Sequence, residues 1–309
     1  MRKLSQNFMH NLIDPQGILH PLLTRIKRDQ TLMLAIRDGF INIYYRGGSI
    51  LRITEQGNGE YQTFFDSRYN KSEDNPPKLP EIVKEPNEVK QWINAIPQLK
   101  FFMDDFLSKH NKPEREFQQL VARENNNSSI SNESEYFISD IEVSESITGA
   151  RFDMVAICWP ATKRRSGDNC KLALIEMKYG DGALSGNSGM LKHLQDIDAM
   201  IANKNKYSEL VHVIEHQFEQ LDQLGLLKFN KGKKYARILL DPNDKPEVIF
   251  ILANHNPRAT ELKSILNSPE IVAYNESMSF DLRFFVSRFA GYGLHTKCML
   301  DLDEFRKLL

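Results

Sequence analysis

The sequence predicts an α/β protein in which an antiparallel β-meander precedes a mixed sheet flanked by helices. Three observations support this prediction. Strand-length runs separated by tight-turn dipeptides fill residues 31–66. Two apolar segments with charged residues set into them follow at 150–160 and 171–180. Helical patterns then lie before and after that pair, at 113–125 and 190–204.

The N-terminal meander is predicted from turn chemistry. Its runs TLMLAIR, FINIYYR, SILRITEQ and EYQTFFD are separated by Asp-Gly, Gly-Gly and Asn-Gly dipeptides at 38–39, 47–48 and 58–59. Such dipeptides favour two-residue hairpins. A polar, proline-containing stretch at 70–88 has the composition of a linker, and a mostly helical pattern follows it. We therefore predict an N-terminal antiparallel β domain over 1–85 and a second domain over 86–309.

The second domain is predicted to begin with a helix at Pro113, because Phe117, Leu120 and Val121 follow at helical spacing. The expected elements after it are strands at 136–146, 150–160 and 171–180, a helix at 190–204, and a strand at 248–256. Further strands are expected within 264–277 and 280–300, and a short helix in the closing DLDEFRKLL.

Charged side chains on the two apolar segments point to a chemistry. Alternate residues of a strand share a face, so Glu176 and Lys178 lie together with their Cα atoms about 6.5 Å apart. Asp153 could join them from the neighbouring strand. Two carboxylates can hold Mg²⁺ while leaving positions open for water and phosphate. The lysine could orient or deprotonate a water, or stabilise developing negative charge, and the sequence leaves these roles open.

Asp153 followed by Glu176-x-Lys178, in this order of elements, resembles the PD-(D/E)xK nuclease superfamily, the restriction-endonuclease-like fold. The resemblance implies a core of helix, three-stranded meander, helix and strand. It also implies metal-dependent cleavage of phosphodiester bonds by Asp153, Glu176 and Lys178. The chain departs from the family pattern at Phe152, where the family name has proline.

The resemblance extends the expected site to the two flanking helices. It implies an acidic metal ligand in the first helix, for which Glu116 is the first choice and Glu114 the reserve. It implies a glutamine near the site in the second helix, which here would be Gln195. The expected metal ligands are thus Asp153, Glu176 and Glu116, and the expected cofactor is Mg²⁺ or Mn²⁺. The predicted activity is that of a hydrolase, a nuclease acting on DNA.

Alternatives to this interpretation remain open at the level of sequence. A nuclease fold could serve as a non-catalytic module that binds nucleic acid or protein, and Glu176 with Lys178 could be an ion pair on a solvated face. A third alternative is a zinc peptidase, because the sequence HxxEH from His212 to His216 matches the helix-borne zinc motif of inverzincin peptidases. The apolar stripe of that helix, however, places both histidines on the opposite, wet face.

Composition limits the partners and the compartment. A net charge of −1 argues against a globally basic nucleic-acid binder, so phosphate contacts would need local patches. The candidate patches are Lys163 to Arg165, and Lys231, Lys233, Lys234 and Arg237. Ordinary solvated surface is the alternative for both patches and the preferred interpretation for Lys233 and Lys234. Three widely spaced cysteines without a CxxC pair, no apolar signal core and no long apolar run predict a cytoplasmic protein without a membrane span.

The role of the meander is open from sequence. Tyr44, Tyr45, Arg46, Arg52 and Tyr61 interleave aromatic and basic groups, which could contact nucleic acid. Packing of the tyrosines against the following helix is the preferred interpretation, because aromatic residues in strands usually pack. A homodimer or a partner protein bound through this sheet is equally compatible.

Overall fold

The computed structural model describes residues 2–70, 77–144, 151–164, 166–180, 184–186, 189–230, 237–253, 260–287, 296 and 299–308. The chain divides into two compact units. The first contains residues 1–119 and 220–226, and the second contains 120–219 and 227–309. This division differs from the predicted boundary near residue 85, because the helix that follows the presumed linker packs against the meander.

The first unit is a five-stranded antiparallel sheet with helices. Its strands lie in the order β1 (Leu32–Ile36), β2 (Phe40–Tyr45), β3 (Gly48–Glu55), β4 (Tyr61–Phe64) and β5 (Ile82–Val83). Its helices are α1 (Gln6–Ile13), α2 (His20–Arg28) and α3 (Pro86–Lys109). The four meander strands confirm the prediction from turn dipeptides. Strand β5, by contrast, lies in the stretch predicted as a linker, and α1 and α2 were not predicted.

The β2–β3 hairpin turns one residue earlier than the sequence indicated. Tyr45 pairs with Gly48, so the central residues of the turn are Arg46 and Gly47. Both have positive φ, 48° and 73°. Positive φ at both positions is the requirement of a type I′ turn, which matches the twist of the strands. The turn therefore holds Arg46 in a backbone conformation that few side chains adopt.

Packing within the first unit accounts for the aromatic residues of the meander. Tyr61 is buried, and the Tyr44 hydroxyl accepts hydrogen bonds from Arg37 and Asn42. The Tyr45 hydroxyl donates to Asp104 of α3. These contacts support the packing interpretation for the three tyrosines.

The second unit contains a mixed five-stranded sheet. Its strands are β6 (Tyr136–Ser144), β7 (Arg151–Cys158), β8 (Lys171–Tyr179), β9 (Glu247–Ala253) and β10 (Asp281–Ser287), in spatial order β10-β9-β8-β7-β6. The neighbours β6, β7 and β8 pair antiparallel, whereas β8, β9 and β10 pair parallel. The helices are α4 (Pro113–Asn127), α5 (Met190–Ala202), α6 (Lys204–Gln223), α7 (Thr260–Leu266), α8 (Pro269–Val272) and α9 (Leu302–Arg306). Residues of α4 up to Gln119 and of α6 from Gln220 belong to the first unit.

One predicted strand region is wrong. Residues 264–277 are helical, forming the end of α7, all of α8 and a 3-10 turn, Ala273–Glu276. The Ser268 hydroxyl caps α8 by accepting from the Ile271 amide, and Pro269 stands at the first helical position. A helical segment is expected here, because parallel neighbours such as β9 and β10 need a crossover connection. Residues 288–295 of the predicted strand at 280–300 lie outside the described residues.

The central strands β8 and β9 are buried along almost their whole length, as sheet strands covered on both faces usually are. The strands bury aliphatic residues such as Leu174, Ile175 and Ile251. Within the parts of the chain described, no helix is both long and apolar enough to cross a bilayer.

The predicted basic patch between β7 and β8 is largely a structural feature. Arg164 is only 7% exposed, and its guanidinium donates to the backbone carbonyls of Asn132, Trp159 and Ser134. It also lies 4.9 Å from the ring centroid of Phe137. Arg164 therefore stabilises the loop that it belongs to, and its assignment as a phosphate contact is wrong.

The other members of the two basic patches are exposed residues or lie outside the described residues. Lys163 and Arg237 are exposed. Arg165, Lys231, Lys233 and Lys234 lie outside the described residues.

We expect Arg164→Met to lower the free energy of unfolding by about 2–3 kcal/mol, because it leaves buried carbonyl groups without their donors. Urea denaturation of the purified protein measures this loss. The neighbouring exposed Lys163→Met is the matched control and should change stability by less than about 0.5 kcal/mol. Equal effects of the two substitutions would contradict the structural role of Arg164.

Candidate active site

The structure brings Asp153 and Glu176 together on neighbouring strands. The β7–β8 pairing ends with Met154 and Ile175, and Asp153 and Glu176 are the next residues of the two strands beyond that pair. Besides burial, the charge of Glu176 raises the pKa of Asp153, so the two carboxylates lie near each other. Asp153 Oδ2 also accepts a hydrogen bond of 2.7 Å from the backbone amide of Met177. The two predicted metal ligands therefore form a cross-strand carboxylate pair.

Lys178 completes this group from the same strand as Glu176. Its Nζ atom lies 3.9 Å from Glu176 Oε2. The Glu176 side chain is 1% exposed and that of Lys178 is 4% exposed. The interpretation as an ion pair on a solvated face is therefore wrong, because both side chains are buried within the second unit.

The residue of α5 that contacts the carboxylates is His193. Its Nδ1 atom lies 3.2 Å from Glu176 Oε2, and its side chain is 20% exposed. The helix buries Met190, Leu194 and Ile197, and His193 lies one turn from both Met190 and Ile197, at the border of that stripe. The sequence analysis did not single out His193.

Gln195, the side chain that the family resemblance implied, is exposed. It lines a cleft of about 490 Å³ beside the start of α5, together with Lys192, Ser264 and Glu270. Two positions separate Gln195 from His193, which rotates it about 200° around the helix. Its catalytic role stays a prediction that no contact with the carboxylate pair supports.

The electrostatics of the pair favour a bound proton or a cation. Burial, and next the charge of Glu176, raise the pKa of Asp153 to about 7. The Met177 amide and the Lys178 ammonium oppose this rise, and Glu142 adds to it. The pKa of Asp153 is therefore raised first by burial of its carboxyl group and next by the nearby charge of Glu176, and a cation bound here would oppose both effects.

Glu142 of β6 is a third acidic residue that the sequence analysis did not single out. The β6–β7 register pairs Ile141 with Met154 and Val143 with Phe152, so Glu142 lies opposite Asp153 on its other side. It has a positive φ of 50°, which is uncommon for glutamate. An acidic residue between the apolar Ile141 and Val143 was the available signal for this position.

Glu116 lies in the first unit, where Arg46 binds it. The Arg46 Nε atom donates to Glu116 Oε1 at 2.9 Å and its Nη2 atom donates to Oε2 at 3.2 Å. Arg46 also donates to Asp104 at 2.9 Å. The guanidinium of Arg46 therefore binds both carboxylate oxygens of Glu116. The role of Glu116 as a metal ligand stays a prediction. The same holds for Glu114, which is half-buried.

We expect Arg46→Met and Glu116→Gln each to lower the free energy of unfolding by about 1 kcal/mol, because either change breaks a bidentate ion pair on a partly exposed surface. The double variant should lose less than the sum of the two single losses. Urea denaturation of all four proteins measures this coupling. Additive losses would contradict the pairing. Loss of metal-dependent cleavage in Glu116→Gln alone would instead support the ligand role.

The HxxEH motif of α6 does not form a cleft. The His212 and His216 side chains are 59% and 51% exposed, and each pairs with a glutamate of its own helix, Glu215 and Glu219. Glu215, the expected base of a peptidase, also accepts a hydrogen bond of 2.6 Å from the Leu240 amide. These contacts support the assignment of both histidines to the surface.

The fit of a divalent cation can be judged from the donor set. Among the described residues, no three His, Cys, Asp or Glu side chains stand in a geometry ready to hold one metal ion. Asp153 and Glu176 nevertheless offer paired carboxylate oxygens, the hard ligands that Mg²⁺ and Mn²⁺ prefer. A cation would neutralise the negative charge of these two carboxylates when both are ionised. The pair therefore fits a hard divalent cation.

Comparison with known proteins adds no assignment, because no protein-family model, curated protein or solved structure matches this chain.

Proposed function

We propose that this chain is a metal-dependent nuclease that hydrolyses phosphodiester bonds, with DNA as its substrate. The observation that carries the proposal is the cross-strand carboxylate pair of Asp153 and Glu176 with the buried Lys178 beside it. The arrangement combines two metal-binding acids and a cation at one place, which is what the cleavage of a charged diester requires.

The energetic cost of the arrangement supports a functional interpretation. Like charges directly opposite one another destabilise a sheet, and burial raises the cost of each charge. Asp153 shows this cost in its raised pKa. Groups with strongly perturbed pKa values concentrate at functional sites, because function is the usual reason to keep them. A structural role alone would be better served by apolar residues at the same positions.

The order of elements is compatible with the proposal. Along the chain, α4 is followed by the antiparallel β6, β7 and β8, then by α5, and later by β9 beside β8. This is the order of helix, three-stranded meander, helix and strand that the nuclease resemblance implies. The two apolar motif strands also stand next to each other, as the proposed chemistry requires.

In the proposed site, Asp153 and Glu176 would hold the Mg²⁺ or Mn²⁺ ion. When bound, such an ion supplies a Lewis acid for the phosphate and a water of lowered pKa. The Met177 amide fixes one oxygen of Asp153, which orients that carboxylate. Lys178, held beside Glu176, either stabilises negative charge on the phosphate as an ammonium or takes a proton from water as a free amine.

The proposal is tested by incubating the purified chain with linear and circular double-stranded DNA, single-stranded DNA and RNA. Each substrate is offered with Mg²⁺, with Mn²⁺ and with EDTA. We expect cleavage of DNA that requires the metal ion. Retained binding without cleavage of any substrate would favour the non-catalytic binding module, and cleavage that persists in EDTA would contradict the metal dependence.

A further inference from the structure

We propose that His193 is a positioning residue that orients the Glu176 carboxylate through a hydrogen bond from its Nδ1 atom. The inference rests on the proposed nuclease function, because it assigns to His193 the task of orienting one of the proposed metal ligands. Neither the sequence pattern nor the family resemblance pointed to His193. The inference follows from where α5 places this side chain against β8.

The chemistry of the contact defines the tautomer of the ring. A carboxylate only accepts hydrogen bonds, so a bond across the 3.2 Å between His193 Nδ1 and Glu176 Oε2 needs the proton on Nδ1. A neutral imidazole then presents Nε2 as an acceptor. The contact therefore needs only the Nδ1–H group of the ring. A side chain that places a hydrogen-bond donor at the position of Nδ1 should replace histidine.

The position of Glu176 explains why an orienting group matters. The terminal torsion of a glutamate is broad, so packing alone defines the plane of the carboxylate poorly. His193 from α5 and Lys178 from β8 both approach Oε2, at 3.2 and 3.9 Å. Groups that orient metal-binding side chains typically change metal affinity or activity 10- to 100-fold when they are removed.

The anchoring of α5 makes His193 suitable for this task. The helix is held by its buried stripe, which includes Leu194 next to His193 and Ile197 one turn later. A side chain at the border of a packed stripe has restricted rotamers, so the imidazole is presented in one place. The exposed Gln195 lacks this restraint.

The test compares His193→Asn, His193→Gln and His193→Ala with the wild type. The amide nitrogen of asparagine can copy Nδ1, whereas glutamine places its terminal amide closer to the position of Nε2. We expect His193→Asn to keep its cleavage rate within about 3-fold, and His193→Gln and His193→Ala to lose about 10- to 100-fold. The loss should be in kcat and in the Mg²⁺ concentration for half-maximal rate, with KM for DNA unchanged.

The outcomes separate this inference from the proposed function. A wild type without metal-dependent cleavage overturns both. An active wild type with an equally active His193→Ala overturns the positioning role alone. Activity retained in His193→Gln but lost in His193→Asn would show that the ring works through Nε2. That result would also overturn the positioning role assigned to Nδ1. Thermal unfolding of each variant in EDTA identifies any variant that is misfolded. If His193→Ala fails to fold, the comparison of His193→Asn with His193→Gln still tests the positioning role.

Discussion

Lys178→Ala is expected to lower the rate of metal-dependent DNA cleavage by at least about 100-fold. The substitution removes the ammonium group beside Glu176, and among the described residues β8 places no other cation next to the carboxylate pair. Single-turnover cleavage of labelled DNA with saturating Mg²⁺ measures the loss. The affinity for DNA should change little, since a residue that is 4% exposed offers little surface to bound substrate.

The matched control for this variant is Lys171→Ala, an exposed lysine at the start of the same strand. It should cleave DNA at the wild-type rate. Lys178→Arg separates the two proposed roles, because arginine keeps the charge but does not release its proton at ordinary pH. Activity retained in Lys178→Arg would indicate charge stabilisation, and full activity of Lys178→Ala would contradict the assigned site.

Asp153→Asn is expected to stabilise the protein in EDTA, by up to about 4 kcal/mol near pH 8. Burial and the opposed Glu176 raise the pKa of Asp153 to about 7, so the folded state holds a proton that the unfolded state releases at lower pH. This difference in proton binding costs stability as the pH rises, and the cost is complete once the pH has passed about 7. Asparagine removes the charge and can still accept the hydrogen bond from the Met177 amide.

The pH dependence gives the sign of this prediction. Between the ordinary pKa of an aspartate and about 7, the folded protein binds more protons at Asp153 than the unfolded protein does. Stability contributed by this group is thus highest at acid pH and falls as the pH rises through that window. The advantage of Asp153→Asn should be largest near pH 8 and vanish near pH 4.

Urea denaturation in EDTA across this pH range measures the effect, with exposed Glu209→Gln on α6 as the surface control. The control should differ from wild type by less than about 0.5 kcal/mol at every pH. Saturating Mg²⁺ should stabilise the wild type and leave Asp153→Asn nearly unchanged, because the cation would bind the ionised pair. A variant less stable than wild type near pH 8 in EDTA would contradict the electrostatic account.

Local patterns were sufficient to predict most strands. Tight-turn dipeptides defined the meander, and alternation along β8 placed Glu176 and Lys178 on one face. The approach of Asp153 to Glu176 needed the two apolar segments to be neighbours in a suitable register, and from sequence it stood as a possibility. These features depend on a few adjacent residues, which a sequence displays directly.

Features that depend on contacts between distant residues were missed. The engagement of Glu116 by Arg46 joins side chains 70 positions apart, and no local pattern indicates it. Glu142 reaches Asp153 only through the register of β6 with β7. Arg164 looked like part of a basic patch because its backbone acceptors carry no signal in the sequence.

The choice between His193 and Gln195 depended on rotational phase. A helix turns about 100° per residue, so an error of two positions moves a side chain to the far face. The expectation of a glutamine came from the resemblance, whereas the buried stripe of α5 determines which residue faces β8.

The most direct test of the central claim compares wild type and Asp153→Asn for cleavage of linear double-stranded DNA, in Mg²⁺ and in EDTA. We predict cleavage by the wild type in Mg²⁺ only, and none by Asp153→Asn. Because this variant is expected to be the more stable protein in EDTA, its inactivity could not be ascribed to misfolding. Equal cleavage by the two proteins in Mg²⁺ would show that the carboxylate pair is not the catalytic site.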